Sequence, residues 1–292
     1  MSGDTTGVRV VAIFGPTGVG KTEVAQALAA RLRDHGEDPQ TVAADALQLY
    51  AGLTVLTGAD PADRLQGIAD VTETFSAGRY AQLAHAEIDG LLAQRRRPIV
   101  VGGTGLYLRA ALADLDLRPP PDQTTRARLT QRLETEGPRA LHAELPPDVA
   151  ARIAATDGIR ITRALELIAQ GHAPPAGDQL WTAATRVPTL LCGLTMDRER
   201  LYARIEDRVD AMVAAGAADE VRAAAAKGAS PTARKALGFQ ELLDGDVEAM
   251  KRATRRYARR QLTWLRKLPA ELVFDVTHRG PDAVAADLAA RL

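Results

Sequence analysis

Short β-branched runs alternate with stretches of helical period through the first third of the chain. Residues 8–14, 40–44 and 98–101 are apolar and bounded by turn residues, which predicts buried strands. Between them, residues 23–33, 79–95 and 106–115 repeat apolar positions every three to four residues and predict helices. In 79–95 the stripe is Tyr80, Leu83, Ala84, Ile88, Leu91 and Leu92. Residues 52–67, rich in Gly, Asp and Pro, predict a loop. At Arg118-Pro119-Pro120-Pro121-Asp122 the pattern changes. Helical periods then follow one another over 126–136, 138–145, 148–155 and 159–170, up to a loose stretch at 173–177. Residues 189–194 return to strand, helices follow over 198–215, 218–227 and 247–268, and 271–276 and 281–292 predict a last strand and helix.

Strand–helix alternation argues for a parallel sheet covered on both faces. The expected architecture is therefore α/β: a core of 1–113 and 187–292, with an all-helical insertion over 114–186. In such sheets ligands gather beyond the carboxyl ends of the strands.

Composition narrows the chemistry. The chain has 292 residues, 46% of them hydrophobic, with 37 basic and 37 acidic side chains and a formal net charge of zero. Binding to nucleic acid must then come from a local basic face. One cysteine, Cys192, excludes a disulfide framework and a cysteine-rich zinc site. The polar residues 1–7 do not form a signal peptide, and no apolar run reaches the roughly 18 residues that span a bilayer. These features predict a cytoplasmic protein with no membrane association.

Gly15-Pro16-Thr17-Gly18-Val19-Gly20-Lys21-Thr22 sits between the first strand and first helix. That is the G-x-x-x-x-G-K-T spacing of a P-loop. Its backbone N–H groups and the helix N-terminus suit a diphosphate, Lys21 adds a point charge, and the Thr22 hydroxyl is placed to ligand Mg²⁺. A P-loop NTPase-like sheet follows from this context. Asp45, at the tip of the second strand, is either a proton acceptor facing the diphosphate or an N-cap. Thr104, in Gly102-Gly103-Thr104-Gly105, is either a hydrogen-bond donor to a departing diphosphate or a turn residue. Arg204 and Arg208 share one helix face and could neutralise leaving-group charge. Residues 251–267 form the strongest basic feature, with Met250, Tyr257, Trp264 and Leu268 on one stripe and only Glu248 offsetting the charge nearby. No guanine-reading N-K-x-D motif and no ATPase-type Asp-Glu strand end are present.

Together these motifs resemble the tRNA dimethylallyltransferase family. Further matches are Asp45-Ala46-Leu47-Gln48-Leu49-Tyr50, Leu106-Tyr107 after the second glycine turn, Arg160-Ile161-Thr162-Arg163-Ala164-Leu165-Glu166, residues 202–210 and residues 254–264. The resemblance implies transfer of a dimethylallyl group from its diphosphate to N6 of the adenine 3′-adjacent to a tRNA anticodon. Asp45 would take the N6 proton. Lys21, Mg²⁺ on Thr22, Thr104 and Arg208 would stabilise the diphosphate. Ala46, Leu47, Gln48, Arg126, Ile159, Arg160, Ile161, Thr162, Arg163, Lys235, Gly238, Gln240, Arg255, Arg256, Arg259 and Arg260 would contact the anticodon stem-loop. The protein would act as a monomer. Ala46 stands where the family usually has Ser, and residues 57–70 lack its lysine and are shortened. Phe239-Gln240 replaces a more common Tyr and basic residue. Two alternatives share the P-loop: a transferase acting on free adenine nucleotide, and a P-loop kinase.

Overall fold

The computed structural model describes residues 8–60, 62–120, 122–175 and 179–292. Residues 1–7, Pro61, Pro121 and, at the exit stretch, Ala176, Gly177 and Asp178 lie outside them. The described residues form two compact units, 8–115 with 180–292, and 116–179. The expected insertion boundaries at 114 and 186 are thus corrected. Arg186 belongs to the larger unit, where it pairs with Asp89 and Asp114 and its N–H donates to the Leu112 carbonyl.

The larger unit begins with β1 (Val10–Phe14), wholly buried, then α1 (Lys21–Asp34), β2 (Gln40–Ala43), α2 (Thr54–Thr57), α3 (Ala77–Ala93), β3 (Pro98–Gly102) and α4 (Gly105–Leu112). The helical unit holds α5 (Gln123–Glu136), α6 (Pro138–His142), α7 (Pro147–Ala150) and α8 (Gly158–Ala169). The larger unit resumes with β4 (Thr189–Thr195), α9 (Arg198–Ala214), α10 (Ala217–Ala226), α11 (Phe239–Leu243), α12 (Val247–Leu265), β5 (Leu272–Asp275) and α13 (Pro281–Ala289). The predicted elements are present to within a few residues at their ends, where helices fray, except that the helix expected over 148–155 is corrected to the single turn of α7, ending at Ala150. The loop expected over 52–67 is corrected: it contains α2 and a bridge from Arg64 to Val42.

All five strands are parallel, in the order β2-β3-β1-β4-β5. On one face Val11 and Ile13 pack with Leu28 and Leu32 of α1 and Val284 and Leu288 of α13. Strand side chains alternate, so Val10, Ala12 and Phe14 face the other layer. There α3 and α4 pack on β2 and β3 and on each other, with Tyr80 and Tyr107 rings 4.7 Å apart. Helix starts follow the residue chemistry: Ser76, Asp197 and Asp246 accept the first free N–H groups of α3, α9 and α12.

Within the helical unit, Leu141, Leu145, Val149, Ile161 and Ala164 make the core. Glu166 is fully buried there and is paired to Arg126 and to Arg163, whose guanidinium also donates to the carbonyls of Arg118 and Pro119.

Candidate active site

The loops leaving β1, β2 and β3 open onto a cavity of about 330 Å³. Thr17, Gly18, Gly20, Lys21, Thr22, Asp45, Gly103, Arg204, Arg208, Tyr257 and Gln261 line it, so the predicted strand-end residues converge. Two residues of the P-loop explain its shape. Gly20 takes a left-handed conformation, φ 102°, from which α1 starts at Lys21. The Lys21 ammonium folds back to donate to the Pro16 carbonyl at 2.9 Å. Burial pushes its pKa down to about 8, against the attraction of Asp45.

Asp45 follows the end of β2 and lines the cavity. Its Oδ1 accepts the Leu47 N–H at 3.1 Å, capping the turn that follows β2 rather than a helix. The same carboxylate faces Thr104, Lys21 and Arg208. Burial is the largest influence and raises its pKa above the usual carboxylate range, although the Leu47 N–H, Lys21, Thr104 and Arg208 all pull it down. Thr104 precedes α4 without its side chain capping it. Its hydroxyl is therefore left for the site, where it lies 3.1 Å from the Tyr257 hydroxyl and within hydrogen-bonding reach of Asp45.

Arg208 comes from α9 and lies against Gly58, where a Cβ would stand 2.0 Å from its Nη2. The turn after α2 makes room for the guanidinium. Glu220 of α10 holds the start of α2 by accepting the Val55 and Leu56 N–H groups at 3.0 and 2.9 Å. Arg204 is instead paired with Glu23 at 3.2 Å. Leu47, Leu56, Val209, Met212, Leu237 and Met250 give the cavity an apolar side.

No group of three or more His, Cys, Asp or Glu side chains able to hold a metal occurs among the described residues. A donor set of one neutral hydroxyl, Thr22, completed by diphosphate oxygens and water, fits Mg²⁺ better than a softer ion.

The residues expected to contact tRNA divide. On α12, Arg256, Arg259 and Arg260 are exposed, and Arg256 and Arg259 have no acidic partner among the described residues. Arg260 stacks on the Tyr257 ring at 5.5 Å. Arg255 is paired to Glu206, and Lys251 to Asp210 and Glu248, so α9 offsets part of the basic run that the local sequence left with Glu248 alone. Lys235 and Gln240 are exposed. Gly238 is buried beside Met250 and offers RNA no side chain, a correction. Ala46, Leu47 and Gln48 are half-buried, and Gln48 donates to the Thr57 and Gly58 carbonyls.

In the helical unit, Ile159 is 83% exposed and Arg160 is exposed beside it, at the start of α8. Ile161 and Thr162 are buried, the first in that unit's core, so their assignment as contacts is corrected. Arg126 and Arg163 hold Glu166. The residue that sequence reasoning missed is Gln261. Its signal was a polar side chain on the buried stripe of α12, one turn beyond Tyr257.

The IPP transferase family model matches residues 48–268, and the isopentenyl transferase model matches residues 8–72. A tRNA dimethylallyltransferase of Thermobifida fusca is 40% identical over 94% of this chain and 92% of its own length. One of Kineococcus radiotolerans is 41% identical over 90% and 89%. The full-length tRNA isopentenylpyrophosphate transferase of Bacillus halodurans superposes with a TM-score of 0.69, at 32% identity, over 97% of this chain and 95% of its own.

Proposed function

The chain belongs to the tRNA dimethylallyltransferase family and is a prenyltransferase that modifies tRNA, and we propose that it moves the dimethylallyl group of dimethylallyl diphosphate to N6 of the adenine 3′-adjacent to the anticodon. One observation carries the proposal: a carboxylate of raised pKa, Asp45, stands with Lys21 and Arg208 at a P-loop cavity that also has an apolar side, and is hydrogen-bonded to the Thr104 hydroxyl.

The P-loop holds the donor's diphosphate, and the apolar side, with Leu56 and Met212, holds the five-carbon group. The adenine leaves its stack to enter the cavity, as for other enzymes that do chemistry on a base. Its exocyclic amine is a poor nucleophile because the lone pair is delocalised into the ring. Asp45 accepts a hydrogen bond from N6 and takes its proton as the N–C bond forms. The allylic C–O bond breaks and its electron pair leaves with the diphosphate. Lys21, Arg208 and the Thr104 hydroxyl stabilise that charge where it develops. Thr22 would hold Mg²⁺, which supplies further charge neutralisation on the diphosphate oxygens. Arg256, Arg259 and Arg260 of α12 bind the anticodon arm, and in the helical unit Ile159 and Arg160 are the exposed residues offered to tRNA. The enzyme works in the cytoplasm as a monomer.

The test is nucleoside analysis of tRNA incubated with the protein, dimethylallyl diphosphate and Mg²⁺. N6-dimethylallyladenosine is expected with the wild type and not with Asp45→Ala, which should still bind the donor. Its absence from several wild-type reactions, or transfer to AMP in preference to an anticodon stem-loop, would overturn the reading.

A further inference from the structure

Gln261 is buried to 3% exposure in the helix that carries the exposed arginines, and the reaction just described gives it no task. Its amide is used on both sides. Oε1 accepts the Thr17 N–H of the P-loop at 2.8 Å, and Nε2 donates to the Gly103 carbonyl at 2.8 Å. Those two loops leave neighbouring strands side by side, since Phe14 of β1 is in register with Gly102 of β3. One loop carries Lys21 and the other Thr104. A turn earlier on α12, Tyr257 meets Thr104, hydroxyl to hydroxyl, at 3.1 Å. The space is closed from the opposite wall too: a Cβ on Gly103 would stand 2.2 Å from Gln261 Nε2.

We propose that Gln261, aided by Tyr257, is a positioning residue that fixes the diphosphate cradle relative to Thr104 and ties both to α12. The inference rests on the P-loop being the donor's diphosphate site. A leaving group is stabilised only by donors held at about 2.7–3.1 Å from the developing charge, and a misplacement of about 1 Å costs about a hundredfold in rate. The Gln261 amide spans the two loops with one acceptor and one donor on separate atoms, a pairing that no carboxylate or apolar side chain reproduces. It also takes the Thr17 N–H out of the set that faces phosphate, so the cradle is shaped by the helix and not by the ligand alone.

The test uses the full-length protein with Gln261→Met, which keeps length and loses both hydrogen bonds, and with Tyr257→Phe. Readouts are kcat, KM for donor and for an anticodon stem-loop, the melting temperature, and direct binding of inorganic diphosphate. Gln261→Met is expected to lower kcat by roughly 30- to 100-fold and weaken diphosphate binding about tenfold, with the stem-loop KM within about twofold of wild type. Tyr257→Phe is expected to lower kcat about tenfold and leave diphosphate affinity unchanged. Wild-type kcat and diphosphate affinity in Gln261→Met would overturn the proposal. So would a loss that raises both KM values in step with a fall in melting temperature, which marks simple packing. Should Gln261→Met not fold, Gly103→Ala takes its place. The added methyl displaces the amide while α12 keeps its sequence, so the same losses are expected and wild-type values overturn the proposal. If the wild type binds diphosphate but prenylates no RNA, the functional reading fails while the diphosphate comparison still decides the role of Gln261.

Discussion

The lowered pKa of Lys21 makes donor binding sensitive to alkaline pH. Burial brings the ammonium from 10.5 down to about 8 in the free protein. The diphosphate needs the charged form, so the sign is fixed: affinity is full below this pKa and falls as pH rises through it. At about pH 9 only about a tenth of the protein carries the charge, and each further pH unit costs about another factor of ten until the pKa of the bound state is reached. The assay is calorimetric titration with a non-reactive thiolo analogue of dimethylallyl diphosphate at fixed Mg²⁺. The analogue finishes ionising near pH 6, like other phosphate monoesters, so it contributes no alkaline break of its own. Lys21→Arg should bind more weakly but show no break, because a guanidinium stays charged up to about pH 12. Affinity of the wild type that stays flat to about pH 9.5, or a break that survives in Lys21→Arg, would refute the reasoning.

Arg208→Lys keeps the charge but loses the planar fork, and kcat is expected to fall about a hundredfold with stem-loop affinity unchanged, read by steady-state kinetics. The transfer rate should also show an acid limb from Asp45, displaced upward from the ordinary carboxylate range because its pKa is raised, and visible in a kcat–pH profile. Removing Arg256 and Arg259 together should weaken tRNA binding and lower the slope of log K against log salt by about 1 to 2, measured by filter binding at several ionic strengths. Leu28→Ala, at a fully buried position between α1 and the sheet, should cost about 2–5 kcal/mol of stability in a urea titration.

Much of the site could be read because its chemistry is tied to strand ends. The P-loop, Asp45 and Thr104 each follow an apolar run, and a parallel sheet brings such positions to one edge whatever lies between them in the chain. What escaped depends on partners remote in sequence. The α2 turn is four residues long, too short to show a period, and the carboxylate of Glu220 holds its start. The charge on α12 is offset by Glu206 and Asp210 of α9, which no local window over 251–267 contains. Motif matching also treats 159–163 as one stretch. The first turn of α8 instead divides it, turning Ile159 and Arg160 to solvent and Ile161 into the core. Asp45 shows the converse: two readings looked exclusive, yet one oxygen can hold a turn while the carboxylate faces the cavity.

The central strand has a consequence for synthesis. β1 lies between β3 and β4, and Val10 is in register with Thr189. A nascent chain therefore carries an unsatisfied sheet edge, and a cradle missing its second wall, until more than half of the polypeptide has emerged from the ribosome. The helical unit closes its own core from local pairings and can form during that wait, whereas the catalytic unit depends on the distant half of the same translation product. Since α12 emerges later still, a truncated product ending before it would lack both Gln261 and the exposed arginines of that helix.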